Sequence, residues 1–202
     1  LEQYVQSLAS KYNTYRRAKT FKTTKRGEVK VPGGNFGYII NKSEEAEELT
    51  KNIINKETVN REPMYSQKEF STNNGIGNTY VEIDLTNQQV YFYKDGTLVL
   101  TSGCVTGNPN KGNATPEGIY RIYGKQSPSV LRGKIDPATG KREYETPVSY
   151  WMPFNGGVGL HDATWQSSFG GQRYLTNGSH GCVNLPEAVA ATIYANVKIG
   201  TP

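Results

Sequence analysis

Cysteine and histidine each occur only twice in 202 residues, and no CxxC pair is present. That scarcity excludes zinc-ribbon and thioredoxin-type sites, and two cysteines are too few to form a disulfide framework in a chain of this length. No apolar run approaches the ~20 residues that a membrane-spanning helix needs. Collagen-like and coiled-coil classes are excluded by the absence of their repeats. Hydrophobic residues make up 35% and charged residues 20%, so a core can be buried and wholesale disorder is not expected. Beginning at Leu1 with neither Met nor a charged-then-apolar leader, the chain reads as an excised or processed piece.

What is abundant is turn and strand chemistry: 22 glycines, 10 prolines and 14 tyrosines. Charge is uneven. Residues 1–30 hold eight Lys or Arg against Glu2 and Glu28, whereas 79–202 hold ten basic and nine acidic residues. The basic residues at the N-terminal end alternate with Tyr, Thr and Phe, so they read as a solvated face before they read as a polyanion contact, and no nucleic-acid role is expected.

The spacing of Leu1, Val5, Leu8 and Tyr12 predicts a helix over 1–18. Two short strands around Arg26-Gly27 and a third in NFGYIIN follow. A helix over 44–56 is predicted, capped by Ser43, with Ala46, Leu49, Ile53 and Ile54 as its apolar stripe. STNNGIGN at 71–78 is the strongest linker signal, an open loop where proteolysis should nick first, and the domain boundary is placed there. Beyond it, Val81, Ile83 and Leu85 alternate with Glu82 and Asp84 as in a half-buried strand. Asp95-Gly96 reads as a type I′ hairpin turn, and GIYRIYG and YWMPFNGGVGLHDA read as further strands. Only EAVAATIYANV, after Pro186, reads as a late helix. The expected fold is a mainly β domain over 79–202, with that one helix, preceded over 1–78 by part of a smaller mixed α+β domain.

The two histidines, His161 and His180, both lie within 21 positions of Cys182. A thiol nucleophile needs a partner that takes its proton, and imidazole is the usual one. Gly181 lets the backbone approach a ligand, so amide N–H groups there could form an oxyanion hole beside the sulfur. Cys104, inside TLVLTSGCV, reads instead as a small buried hydrophobe. His161, His180 and Cys182 are metal-ligand types, but no fourth ligand is suggested, so neither a metal nor a cofactor is expected.

His161 and, 18 positions on, Ser179-His180-Gly181-Cys182-Val183-Asn184 resemble the catalytic signature of the L,D-transpeptidase (YkuD) family. IDLTNQQVYFYKDG, Val105-Thr106-Gly107 and Thr115-Pro116-Glu117-Gly118 resemble the family's first hairpin and later strand openings. The resemblance spans about 79–202, and residues 1–78 more weakly resemble the domain that precedes it in two-domain Gram-positive members. It implies a YkuD-like β-sandwich or barrel and a monomeric enzyme on the wall side of the membrane. Such an enzyme cross-links peptidoglycan, and its partners are donor and acceptor stem peptides. Cys182 would attack the bond between the third stem residue and the D-Ala that follows it, and the thioester would pass to an amine on a neighbouring stem. His161 would be general base and then acid, with backbone N–H groups of His180, Gly181 and Cys182 around the oxyanion. Ser179, His180 and Asn184 would line the donor site. Acylation by carbapenems, and with it β-lactam resistance, belongs to the same resemblance.

Asp162 is a candidate orienter of His161. Adjacent strand residues point to opposite faces, however, so a backbone carbonyl at 162 or near 179 competes for that role. A hydrolase using the same site and a non-catalytic wall-binding module remain alternatives. A sortase fits poorly, because Ser-His-Gly precedes Cys182 and no Arg follows Arg173.

Overall fold

The computed structural model describes all 202 residues. The N-terminal part runs α1 (Glu2–Tyr12), the hairpin β1 (Lys19–Thr23) and β2 (Gly27–Val31), β3 (Ile39–Ile40), α2 (Lys42–Ile54) and β4 (Tyr65–Gln67), which pairs with β3. Helix α1 stops six residues short of the predicted end. Asn13 and Thr14 turn their side chains to the β3 backbone instead, where Asn13 accepts from the Ile40 N–H at 2.9 Å and Thr14 from the Tyr38 N–H at 2.8 Å. Such local side-chain bonds compete with helix continuation.

Helix α2 begins earlier than expected, because Asn41 rather than Ser43 caps it. Its buried face also differs. Ile53 and Ile54 are 67% and 73% exposed, while Glu45 and Asn52 are buried. Glu45 takes a two-pronged contact from Arg61 (2.9 and 3.1 Å) and the Met64 N–H at 2.7 Å, so its carboxylate organises the following loop.

The second part opens with the antiparallel meander β5 (Tyr80–Asp84), β6 (Gln89–Lys94) and β7 (Thr97–Gly103). Asp95 (φ 50°) and Gly96 (φ 81°) form the expected turn. A hairpin of β8 (Ser129–Arg132) and β9 (Glu145–Val148) stands apart. A second three-stranded sheet joins β10 (Trp151–Asn155), β11 (Val158–Asp162) and β12 (Val183–Leu185), with β11 and β12 parallel. The long β11–β12 connection includes the short helix α3 (Tyr174–Asn177), and α4 (Glu187–Asn196) closes the fold. Val90 and Phe92 of β6, Leu160 of β11, Val183 and Leu185 of β12 and Ile193 of α4 meet in one apolar core. The mainly β reading of the second part is therefore correct. GIYRIYG is the exception, since it forms no strand and pairs only at one bridge, Ile119 with Gly33. Its amides bond singly to the Asn35 side chain, Thr201 O and Pro153 O.

The two parts are interlocked. Alternation in β5 is as expected, with Val81 and Ile83 packed on the core, but the opposite face is not solvated. The Glu82 carboxylate takes the Thr24 N–H and hydroxyl at 3.0 and 2.6 Å, and Asp84 pairs with Arg26 at 3.3 Å, both acids being buried beneath the β1–β2 turn. Arg121 reaches Gln67 at 2.6 Å, and Asn35 reaches Phe154 O at 2.8 Å. The 71–78 stretch is likewise no open tether, because Gly75, Ile76 and Gly77 are buried and Ile76 clusters with Phe21, Phe36 and Ile119. Gly75 and Gly77 both have positive φ, 88° and 85°, which is why glycine flanks this anchor.

Anchored loops resist proteases and exposed tips invite them. Brief digestion with proteinase K is expected to cut first in the exposed 134–142 tip of the β8–β9 hairpin and to spare 75–77, as read by peptide mass. First cuts inside 75–77 would show that Ile76 does not hold that segment.

Candidate active site

Parallel pairing sets Leu160 beside Val183 and His161 beside Asn184, which brings His161 to the segment that carries Cys182. Both residues line one cavity of about 260 Å³, together with Ser179, Asn184, Tyr144 and Trp165. A second cavity, of about 290 Å³ between the β1–β2 hairpin and β5, contains neither of them.

His161 is only 2% exposed. Its Nδ1 lies 2.8 Å from Asp162 O. A carbonyl can only accept, so Nδ1 carries the hydrogen in the neutral ring and the Nε2 lone pair is left free. The Asp162 carboxylate is not the orienter. It receives the Ser149 and Tyr150 N–H groups at 3.0 and 2.7 Å and ties down the turn before β10. The residue orients His161 through its main chain, as the strand alternation requires. Trp151, the cross-strand partner of His161, and Trp165 flank the imidazole at 5.9 and 5.8 Å. Burial holds the His161 pKa below its ordinary 6.5, against smaller upward pulls from the Asp162 backbone bond and then the Asp162 charge.

Cys182 is half-buried, and its thiol donates to Gly157 O at 3.5 Å. Burial pushes its pKa above the ordinary 9.0, opposed by a backbone contact at Gly159. At neutral pH the pair is therefore an uncharged thiol and an uncharged imidazole. Cys104 is fully buried as expected, with its thiol pushed up to about 12.

The loop before the sulfur is pinned peptide by peptide. Ser179 Oγ donates to Cys182 O at 2.5 Å and accepts the Gly181 N–H at 3.1 Å. Gly181 is thereby removed from the expected set of oxyanion donors, while the N–H groups of His180 and Cys182 have no partner within the fold. Gly181 (φ 126°) occupies backbone space that suits glycine. His180 is exposed and stacks on Tyr144 at 5.1 Å. Asn184 contributes to the cavity lining, and its buried Oδ1 has no hydrogen-bond partner within the fold. No three His, Cys, Asp or Glu side chains converge as a metal-binding group.

Of the site residues expected from sequence, His161, Ser179, His180, Cys182 and Asn184 line this cavity, whereas Gly181 and Asp162 do not. Three neighbours were missed. Tyr144 and Trp165 carry no spacing signal, since they arrive from the β8–β9 hairpin and from the loop after β11. Thr115 stands inside Thr-Pro-Glu-Gly, a motif whose sequence marked a strand opening and nothing chemical.

Residues 78–202 match the YkuD family, the L,D-transpeptidase catalytic domain, and residues 1–61 match a peptidoglycan-binding domain family. A crystal structure of a cysteine-to-serine variant of Enterococcus faecium L,D-transpeptidase is 39% identical, covers 100% of this chain and 79% of that chain, and superposes with a TM-score of 0.82. The NMR structure of the E. faecium catalytic domain acylated by ertapenem is 41% identical over 62% of this chain and 94% of that one, with a TM-score of 0.54. An L,D-transpeptidase from Mycobacterium smegmatis, 24% identical over 61% of this chain and 56% of that one, shares the fold with a TM-score of 0.51. No curated protein matches the chain.

Only the thiolate is alkylated, so a raised pKa makes the rate climb with pH. Iodoacetamide is expected to label Cys182 alone, with a rate that rises steadily from pH 6 to beyond the ordinary thiol value of 9.0, while Cys104 stays unmodified. A rate flat between pH 6 and 8 would mean that the sulfur is already ionised at rest.

Proposed function

Because the chain belongs to the YkuD family of L,D-transpeptidases, we propose that Cys182 and His161 carry out its acyl transfer on peptidoglycan stem peptides. The enzyme is a cysteine-dependent acyltransferase of peptidoglycan cross-linking. One observation carries the assignment of roles: Nδ1–H of His161 is held by Asp162 O, which leaves Nε2 as a free base in the cavity that Cys182 lines.

In the first half-reaction, Nε2 of His161 takes the Cys182 proton as Sγ attacks the carbonyl of the third stem residue. The developing oxyanion is met by the free N–H groups of Cys182 and His180. The imidazolium then returns its proton to the departing D-Ala amine, leaving a thioester on Cys182. In the second half-reaction the acceptor amine attacks the thioester, His161 takes its proton, and the proton returns to the leaving sulfur. Ser179 and Asn184 border the donor strand, and His180, stacked on Tyr144, forms an outer wall.

Residues 1–78 serve as the wall-contacting unit and 79–202 as the catalytic unit, with the match of 1–61 to a peptidoglycan-binding domain in support. These two regions associate the chain with the cell wall, and no helix is long and apolar enough to cross a membrane. The two family matches support a place on the wall side of the membrane, with the protein acting as a single chain. Capture of Cys182 by carbapenems follows from the same chemistry, in line with the ertapenem-acylated relative.

Cys182→Ala is expected to abolish both cross-linking and carbapenem capture, and His161→Ala to slow acylation about 10²–10⁴-fold, the usual yield of a positioned acid–base group. In the parent, acylation should fall on the acid side with a midpoint below 6.5, as His161 protonates and ceases to be a base. Intact mass with a disaccharide-tetrapeptide reads the outcome: a dimer with loss of D-Ala marks transfer, and free tripeptide alone marks hydrolysis. Retained acylation in Cys182→Ala overturns the assignment.

A further inference from the structure

Thr115 is buried behind the Cys182 loop, outside the set of residues that face the reaction. It precedes Pro116, which confines it to extended backbone, and its hydroxyl lies between two main-chain groups. The Gly107 N–H donates to Oγ1 at 2.9 Å, and Oγ1 lies 2.7 Å from Gly181 O. A hydroxyl has one hydrogen. Since Gly107 supplies the first bond, the Thr115 hydrogen must go to Gly181 O.

That bond fixes more than a carbonyl. The peptide joining Gly181 to Cys182 is planar and trans, so its C=O and N–H point in opposite directions. Drawing Gly181 O inward to Thr115 turns the Cys182 N–H outward, on the side away from Thr115, where it has no partner within the fold. The clamp has little slack, because a Cβ placed on Gly107 would lie 2.8 Å from Gly181 Cα and 1.9 Å from Asn113 O.

We propose that Thr115 is a positioning residue, whose hydroxyl, locked between Gly107 N–H and Gly181 O, aims the Cys182 amide at the oxyanion of the tetrahedral intermediate. This rests on Cys182 being the acylated nucleophile. Acylation needs that amide, whereas alkylation by iodoacetamide passes through no oxyanion and needs only the sulfur. The two reactions at one atom separate aiming from general damage.

The experiment compares ertapenem acylation and iodoacetamide alkylation of Cys182 in the full chain for the parent, Thr115→Val, Thr115→Ala and Thr115→Ser, followed by intact mass. Removing a single oxyanion donor outright costs about 10²–10³-fold, so misaiming it in Thr115→Val should slow acylation by about 10-fold or more while alkylation stays within about twofold of the parent. Thr115→Ser, which keeps the hydroxyl, should recover most of the acylation rate. Thr115→Ala carries the same expectation as the valine variant and replaces it if that chain does not fold. Parental acylation in Thr115→Val or Thr115→Ala overturns the proposal. So does an equal fall in both reactions, which would mark Thr115 as structural only, or a serine variant as slow as the valine one. Acylation that persists in Cys182→Ala would instead refute the nucleophile, a result distinct from every Thr115 outcome.

Discussion

The reactive loop is held by a backbone seam between two segments that are mostly outside regular strands. Val105 and Asn184 exchange both of their main-chain bonds at 3.0 and 2.9 Å. Farther along, the Ser179 N–H donates to Thr106 O and the Asn108 N–H to Ser179 O, each at 3.0 Å. Cys182 lies between these two attachment points. The strap is itself held by Gln88, a fully buried side chain that donates to Thr106 Oγ1 and accepts the Thr106 N–H at 2.8 and 2.9 Å. Each bond contributes about 1 kcal/mol net, and what they secure is chiefly direction. A loop free enough to expose a sulfur would otherwise present its amides at random.

Burial governs the electrostatics on both sides of the pair. It disfavours the imidazolium of His161 and the thiolate of Cys182 alike. Orientation by a carbonyl rather than a carboxylate is consistent with this. A carboxylate on Nδ1 would pull the ring toward its charged form, whereas Asp162 O holds the tautomer with a weaker pull. The Asp162 carboxylate is occupied by two amides of the 149–150 turn, and its charge is the smallest of the pulls on the ring.

Much of this was legible in the sequence because the signals are local. Asp95-Gly96, the alternation of β5 and the late helix depend on near neighbours, and the scarcity of histidine drew attention to His161, His180 and Cys182. What failed depends on partners far along the chain. Period 2 shows which residues of β5 share a face, but not that Thr24 and Arg26 will cover Glu82 and Asp84. The apolar stripe of α2 pointed to Ile53 and Ile54, yet the ion pair of Glu45 with Arg61 and its bond to the Met64 amide go with an inward face rotated toward Glu45 and Asn52. Linker chemistry at 71–78 was read from glycine and asparagine, while Ile76 between them was the anchor. Thr115 was visible as a motif, but its role depends on the Gly181 carbonyl, 66 positions away.

The chain contains two tryptophans, and both rings flank the same imidazole, at 5.9 and 5.8 Å. All indole emission from this protein therefore arises beside His161. Excitation beyond the tyrosine band yields a signal with no background from the rest of the fold, so occupancy of the cavity and the charge state of the ring can be followed optically in the unlabelled protein.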